Sequence, residues 1–162
     1  MVKPMVGVIM GSDSDLIIVK EGTDLLKKFK ISFELKVLSA HRCPEELANY
    51  IKIAPRKGIK LFIAAAGGAA ALPGVIASFT NLPVIGIPIE TKSLKGLDSL
   101  LSIVQMPGGI PVACMAIGQA GARNAAILAA QILGITNHKI SLRLRKYRRE
   151  MRLKLKKVKI KI

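Results

Sequence analysis

The sequence has few aromatic residues and no tryptophan: Phe and Tyr make up 4% of the 162 residues, although 51% are hydrophobic. The core must therefore be built from Ile, Leu, Val and Ala, and the chain is long enough for one domain. Cysteine is scarce too. Cys43 and Cys114 are too few for a disulfide framework, which favours a reducing, cytoplasmic location. The two histidines and the two cysteines lie far apart in the sequence, so no spacing typical of metal ligands is present.

Charged residues are missing from two long stretches, between Lys60 and Glu90 and between Asp98 and Arg123. A membrane-spanning helix needs about 20 consecutive apolar residues, but Gly and Pro interrupt both stretches. Short buried strands alternating with Ala-rich helices explain them better. The first apolar run, 5–10, is too short for a signal peptide and acidic residues follow it at once. We therefore expect no association with a membrane.

Acidic residues are also scarce, with 10 against 26 Lys and Arg, giving a net charge of +16. The segment from Lys139 to the end carries +11 of this excess. A uniformly basic protein would suggest nucleic acid over its whole surface, whereas here the excess belongs to a tail. Apolar and basic residues nearly alternate over 151–162, which is typical of a strand, while 141–150 favours a helix. The tail is either a solvated end or a site for RNA or an acidic surface.

Apolar runs bounded by Gly, Pro and polar residues predict five strands alternating with helices. The predicted strands cover 5–10, 33–38, 59–66, 83–87 and 112–117. The predicted helices run from 13 or 14 to 29, from 44 to before Gly58, and over 72–79, 97–104, 120–133 and 136–149 or beyond. This order implies an α/β fold with a five-stranded parallel sheet between two helical layers. The loops at 11–15, 39–44, 67–71 and 106–109 should follow or approach the carboxyl edge of the sheet, where such sheets bind ligands.

The hexapeptide Ser39–Pro44 is the centre of the predicted site. Its imidazole, on His41, can both give and take a proton near neutrality. Its guanidinium, on Arg42, is a fixed cation with a fork of donors suited to phosphate. The alternative is that His41 only caps or hydrogen-bonds its own loop.

Two further loops add to this prediction. In Gly11–Asp15 the hydroxyls and the amides of the following helix suit an anion, whereas Asp15 suits ribose hydroxyls; the alternative is a simple helix cap. The loop Gly67–Ala71 has almost no side-chain functionality, so it leaves room for a flat ring or a fragment the size of CO₂. The alternative for this loop is tight packing of a helix on the sheet.

Long motifs in these loops resemble the PurE family, the N5-carboxyaminoimidazole ribonucleotide mutases of purine biosynthesis. The resemblance covers roughly residues 5–150. Its motifs are MGSDSD at 10–15, SAHRCP at 39–44, GGAAALPG at 67–74, PVIGIP at 83–88 and DSLLSIVQMPGGIPV at 98–112. It implies a flavodoxin-like fold, a homo-octamer, and transfer of a carboxylate from the exocyclic nitrogen of an aminoimidazole ribonucleotide to ring carbon C4 without ATP, metal or other cofactor.

The resemblance also assigns roles to residues of this chain. His41 matches the general acid/base, and Ser12, Asp15 and Arg42 match positions that bind the ribonucleotide substrate. The expected lining of the pocket is Gly11, Ser39, Gly67, Gly68, Ala71 and Met106. The predicted catalytic domain is 1–150, and 151–162 forms the basic tail.

Two positions depart from the family pattern. The glycine-rich loop has Ala71 where the family normally has a histidine, and Cys43 stands where threonine is usual. Loss of that histidine removes a donor for the migrating carboxylate, which keeps two rivals open: the related carboxylase that uses CO₂ directly, and a non-catalytic nucleotide-binding homologue. The segment 72–74, Leu-Pro-Gly, still follows the mutase pattern.

Overall fold

A computed structural model describes residues 3–158, and these form a three-layer α/β/α structure with five strands and six α-helices. The strands are β1 (Val6–Met10), β2 (Phe33–Val37), β3 (Leu61–Gly67), β4 (Val84–Ile89) and β5 (Ala113–Cys114). The helices are α1 (Leu16–Lys28), α2 (Pro44–Lys57), α3 (Leu72–Ser78), α4 (Leu97–Val104), α5 (Gly118–Gly134) and α6 (His138–Lys156), with a short 3-10 helix at Asp13–Asp15 before α1.

The strands pair in the order β2-β1-β3-β4-β5, and every pair is parallel. In the register of the sheet Val8 lies between Leu35 and Ile63. This is the strand order of flavodoxin-like proteins, in which ligands bind beside β1 and β3, where the order of strand addition reverses. The predicted fold class is confirmed.

The sheet separates two hydrophobic cores because successive side chains of a strand point to opposite faces. On one face, Leu61, Ile63 and Ala65 of β3 pack with α1, α5 and α6. On the other, Phe62, Ala64 and Ala66 of the same strand pack with α2, α3 and Ile103 of α4. Small side chains allow close contact between layers: a Cβ at Gly121 would lie 1.7 Å from the carbonyl oxygen of Ala116. Substitution of Gly121 would therefore force α5 away from the loop that precedes it.

Strand β5 is shorter than predicted. The apolar run at 112–117 predicts six strand residues, but only Ala113 and Cys114 pair with β4. Apolar character reports burial, and this segment is partly buried for other reasons: Val112 packs in one core and Met115 against the other. Its backbone leaves the sheet before Gly118, which begins α5 with a positive φ of 70°.

The strand interpretation of the basic tail is wrong for 151–156. These residues continue α6, which runs without a break across the predicted boundary at 150. Ile140, Leu144 and Tyr147 anchor this helix on the core, and extending an existing helix is easier than starting a new element. Leu, Lys, Arg and Met are also good helix formers. The last four residues of the tail, 159–162, lie outside the described part of the chain.

Within residues 3–158, none of the helices combines the length and the apolar character needed to cross a membrane. The uncharged stretches form buried strands and the helices that cover them, as their interruption by Gly and Pro predicts.

Candidate active site

A cavity of about 470 Å³ opens at the carboxyl ends of β1, β2 and β3. Polar side chains from the first two loops and small residues from the third surround it. Its lining residues are Gly11, Ser12, Asp15, Ser39, Ala40, His41, Arg42, Ala66, Gly67, Ala70, Ala71 and Leu72. We call Ser12, Asp15, His41 and Arg42 the polar wall, and Ala66, Gly67, Ala70, Ala71 and Leu72 the small wall.

The loop after β1 is held by its own hydroxyl and carboxyl groups. Ser12 caps the short 3-10 helix by accepting a hydrogen bond from the amide of Ser14, and the hydroxyl oxygens of Ser12 and Ser14 lie 2.9 Å apart. The amide of Asp15 donates to the Ser12 carbonyl at 3.3 Å. Because these amides are engaged within the loop, an anion bound here would rely on side chains more than on the amides of the helix start.

Asp15 is a buried carboxyl group in this loop, with 9% of its surface exposed. Burial raises the pKa of Asp15 above its ordinary value, although hydrogen bonds from the Ser14 hydroxyl and the Ser12 backbone partly oppose the effect. An ionised carboxylate that has lost water is a strong acceptor for hydroxyl groups of a ligand. Desolvation of this carboxylate lowers the stability of the fold, and a ligand that hydrogen-bonds to it would offset part of that cost.

The loop after β2 places His41 at the cavity while other side chains hold the loop. The amide of Ser39 donates to Cys43 Sγ at 3.0 Å, and that thiol donates back to the Ser39 carbonyl at 3.2 Å. The amide of Arg42 donates to Ser39 Oγ at 3.3 Å. Since these bonds fix the loop and His41 is exposed, its imidazole is left facing the cavity and solvent.

Arg42 joins the two polar loops. Its Nη2 donates to the carbonyl oxygen of Gly11 at 2.6 Å, across 31 positions of sequence. A guanidinium has five N–H donors, so this bond orients the group and leaves other donors for a ligand. The sequence predicts Arg42 as a phosphate ligand; the structure also gives it the task of aligning the loops.

The small wall is shaped by its backbone, which is held from behind by Ser99. Gly68 and Ala70 adopt positive φ angles of 65° and 32°, so the loop turns sharply at the end of β3. The amide of Gly68 donates to Ser99 Oγ at 3.0 Å, and the Ser99 hydroxyl donates to the Ile89 carbonyl at 2.7 Å. Ser99 is fully buried, so it ties α4, β4 and the small wall together.

Comparison with known proteins identifies the family. A model of the AIR carboxylase family matches residues 5–154. The chain belongs to the AIR carboxylase family. It is 56% identical over 94% of its length, and 85% of the relative's, to the N5-carboxyaminoimidazole ribonucleotide mutase of Pyrococcus horikoshii. It is 53% identical over 92% of its length, and 86% of the relative's, to the mutase of Thermotoga maritima.

A solved structure agrees with this assignment. The crystal structure of Treponema denticola PurE superposes with a TM-score of 0.84 over 94% of each chain, at 30% identity. The family resemblance drawn from the loop motifs is thus confirmed.

The fold of this AIR carboxylase family member brings together most of the residues predicted for the site. The predicted residues that line the cavity are Gly11, Ser12, Asp15, Ser39, His41, Arg42, Gly67 and Ala71. Gly68 lies behind this surface, with its amide on Ser99. Met106 does not reach the cavity of its own chain: the loop 105–112 precedes β5, and its neighbours Gly109–Pro111 border Pro83 and Val84 at the amino end of β4. Met106 itself packs against Gly74 in the first turn of α3, where its Sδ would lie 3.2 Å from an added Cβ; its part in lining the site stays a prediction.

The cavity also contains residues that sequence reasoning missed. Ala40, Ala66, Ala70 and Leu72 line it, and Ser99 supports it. The alanines carry no chemical signal, and Ser99 lies 31 positions from the amide that it holds. Among residues 3–158, no group of three or more His, Cys, Asp or Glu side chains is arranged to hold a metal ion.

Proposed function

We propose that this chain is an isomerase of purine biosynthesis. It converts N5-carboxyaminoimidazole ribonucleotide into 4-carboxy-5-aminoimidazole ribonucleotide. The observation that carries the proposal is the match to mutases at 56% identity over 94% of the chain. The convergence of the polar wall on one cavity supports it independently.

The ribonucleotide is held by three members of the polar wall. Arg42 is already oriented by the Gly11 carbonyl and offers its remaining N–H groups to the phosphate as a fixed cation. Asp15, in its ionised form, accepts hydrogen bonds from the ribose hydroxyls, and Ser12 lies beside it with a hydroxyl that can donate or accept. These groups place the aminoimidazole ring against the small wall.

His41 donates one proton to the substrate in the first step and takes one proton from it in the second. Protonated His41 gives its proton to the exocyclic nitrogen as the bond between that nitrogen and the carboxylate carbon breaks, which leaves an amine and CO₂. Ring carbon C4 then attacks CO₂ and forms the new carbon–carbon bond. Neutral His41 takes the proton from C4, which restores the aromatic ring and returns the histidine to its starting state.

The small wall supplies room for CO₂ between these two steps. Its residues line the cavity without a polar side chain of their own, so water finds few partners beside the freed CO₂. Escape or hydration of CO₂ would uncouple the reaction, and a surface that offers water few partners disfavours hydration.

The test is a comparison of two substrate mixtures on the purified chain. One contains N5-carboxyaminoimidazole ribonucleotide; the other contains aminoimidazole ribonucleotide with bicarbonate. The C4-carboxylated product is followed in both. Fast conversion of the first alone is expected of the mutase. Conversion of the second alone would identify the CO₂-using carboxylase, and no product from either would identify a nucleotide-binding homologue without activity.

We further infer that the chain works as a homo-octamer in the cytoplasm, as the family resemblance implies. Exposed apolar side chains on one face of α4 support an assembly. Leu97, Leu101 and Val104, three and four positions apart, are each about half exposed, as is Leu94 just before the helix. Such a contiguous apolar patch is typical of an interface between proteins. Native mass spectrometry of the purified chain tests the octamer, and a monomer at micromolar concentration would contradict it.

A further inference from the structure

Helix α6 concentrates positive charge on one of its faces. Arg145, Arg148, Arg149, Arg152 and Lys156 lie within an arc of about 100° of the helix, because each is three or four residues from at least one other member, which places them on one side. We call these five side chains the basic face. At 1.5 Å per residue it extends over about 16 Å, and all five side chains are exposed.

Nothing in residues 3–158 neutralises the basic face. The acid of this helix, Glu150, forms an ion pair with Lys28 of α1 at 3.2 Å. The other ion pairs of the described chain involve Asp24, Glu21 and Glu34 and include no member of the basic face. Like charges three and four residues apart repel each other and weaken a helix. A partner with closely spaced negative charges would remove this repulsion.

The composition of the basic face points to phosphate. Four of its five members are arginine, whose planar fork of donors fits phosphate oxygens in pairs, whereas lysine acts as a point charge. A row of cations every few ångströms matches a polymer that carries one phosphate per 3.4 Å of each strand. The same arginines lie beside the exposed side chains of Met151 and Leu155 on this helix, which give a base an apolar surface to contact.

The arrangement of apolar residues argues against a membrane surface. A helix that lies on a bilayer needs one broad apolar face opposite its cations. The apolar residues of α6 form a narrow stripe instead: Met151 and Leu155 continue, at spacings of three and four, the row of Ile140, Leu144 and Tyr147 that packs on the core. Leu142 and Leu153 lie nearly opposite this row, so the described part of α6 leaves no broad apolar face exposed.

The basic face is also separated from the active-site cavity. Arg143 of α6 donates to the carbonyl of Phe29 at 3.3 Å, and Phe29 ends α1 at the amino edge of the sheet. Tyr147 packs on the same Phe29, with ring centroids 5.4 Å apart. The cavity opens at the carboxyl edge, so a polymer bound on α6 would leave it accessible.

From these observations we infer that the basic face of α6 binds the phosphodiester backbone of a nucleic acid, without dependence on base sequence. The inference does not rest on the mutase activity, because none of these residues lines the cavity.

The test compares two triple variants of the full chain. R148Q/R149Q/R152Q removes three charges from the basic face; K139Q/K154Q/K157Q removes three charges from other sides of α6 and from Lys157, which caps its end. Binding to a fluorescent single-stranded RNA of about 20 nucleotides is measured by fluorescence anisotropy between about 50 and about 200 mM salt. Far-UV circular dichroism and mutase turnover establish that both variants keep the fold.

Each phosphate neutralised in a single strand contributes about −0.7 to the slope of log K against log salt. The basic-face variant should therefore flatten the slope by about 2 and weaken binding at least tenfold, while the control variant changes the slope by less than about 0.7. Equal losses in the two variants, or no binding by the unaltered chain at low salt, would overturn the inference.

Two further probes identify what is recognised. DNA of the same sequence should bind about as tightly as the RNA, because both present the same backbone. Tighter binding of RNA alone would overturn recognition of the shared backbone in favour of the 2′-hydroxyl. A polyglutamate of equal charge should bind at least tenfold more weakly than RNA; equal affinity would replace the nucleic acid by an acidic protein surface.

Discussion

The two walls of the cavity are built on different principles. The polar wall presents side chains that can carry charge or protons, and its loops are fixed by short-range bonds such as that of Ser39 with Cys43. The small wall presents alanine, glycine and leucine, and its turn is fixed from outside by Ser99, which belongs to another helix. One wall thus carries functional groups, and the other carries shape.

This difference fits a reaction with two kinds of demand. The ribonucleotide and the moving proton require charged and titratable groups at fixed positions. The freed CO₂ requires a surface that offers little to water. Substitutions in the polar wall should therefore change chemistry or binding directly, whereas those behind the small wall should act through its position.

The largest effect is expected from His41→Asn. Asparagine keeps much of the shape and polarity but cannot exchange a proton, and general acid–base groups contribute about 10²- to 10⁴-fold to rate. We expect kcat to fall by this amount while affinity for the product nucleotide, measured by titration calorimetry, stays within about tenfold, or roughly 1.4 kcal/mol. The matched control is His138→Asn, the other histidine, which is exposed at the start of α6. Equal turnover in the two variants would remove His41 from the mechanism.

The next largest effect is expected from Asp15→Asn, which should weaken substrate binding and raise the stability of the fold. The amide loses a charged acceptor for the ribose, so KM should rise roughly 10- to 100-fold, as for a hydrogen bond to a charged group. The folded protein should become more stable near neutral pH. Burial raises the pKa of Asp15, so the folded state holds this proton more tightly than the unfolded state does.

The sign of the pH dependence follows from that difference. Below the ordinary pKa of 3.8 the carboxyl is protonated in both states and costs nothing. Between that value and the raised pKa of the folded state, the unfolded chain ionises while the buried group keeps its proton, so the stability of the wild type falls as pH rises, whereas the variant is unaffected. The gain in Tm should therefore be near zero at acid pH and largest at neutral pH. Asp13→Asn, in the same loop but exposed, should show a smaller gain, because it removes only the like charge that adds to the raised pKa of Asp15; a loss of Tm in Asp15→Asn at neutral pH would show that the ionised carboxylate stabilises the fold.

Sequence reasoning reached the polar wall because its residue types carry the chemistry. The motif around His41 and the order of strands and helices placed three loops at one edge of the sheet, and α4 was predicted with the bounds that the structure has, Leu97–Val104. The polar wall needs little else, because it is formed by residues close to the ends of β1 and β2.

The features that sequence reasoning missed depend on contacts between residues far apart in the chain, or on residues whose type does not indicate their role. The role of Ser99 arises from packing of α4 against the loop after β3. The helical state of 151–156 arises from the anchor at Ile140, Leu144 and Tyr147, whereas local alternation favoured a strand. The short β5 shows that an apolar run reports burial and leaves strand pairing undecided.

A smaller effect is expected from Ser99→Ala, which releases the small wall. The part-buried amide of Gly68 loses its acceptor and the buried carbonyl of Ile89 loses a donor, and a buried group left unsatisfied costs about 1–3 kcal/mol. Part of this lowers Tm, and part lets the loop move, so kcat should fall by up to about tenfold with KM for the nucleotide unchanged because the polar wall is intact. Ser102→Ala, on the same helix but exposed, is the control. If both variants turn over equally at a temperature well below their Tm, Ser99 has only a structural role.

The smallest effect is expected from Ala71→His. This substitution places a polar side chain, of the kind found in the polar wall, on the small wall. Ala71 lines the cavity at the start of α3 with ordinary helical angles, φ −69° and ψ −23°, so a larger side chain requires no change of backbone. An imidazole there would give the small wall a donor for the migrating carboxylate, at the position where the family resemblance leads us to expect histidine. A single neutral hydrogen bond is worth about 0.5–1.5 kcal/mol, so kcat/KM should rise by roughly 2- to 10-fold. Ala69→His, on the exposed side of the same loop and outside the cavity lining, should leave kcat/KM unchanged. A fall in kcat/KM confined to Ala71→His would instead mean that this cavity is fitted to alanine, and that its small wall holds the carboxylate by shape alone.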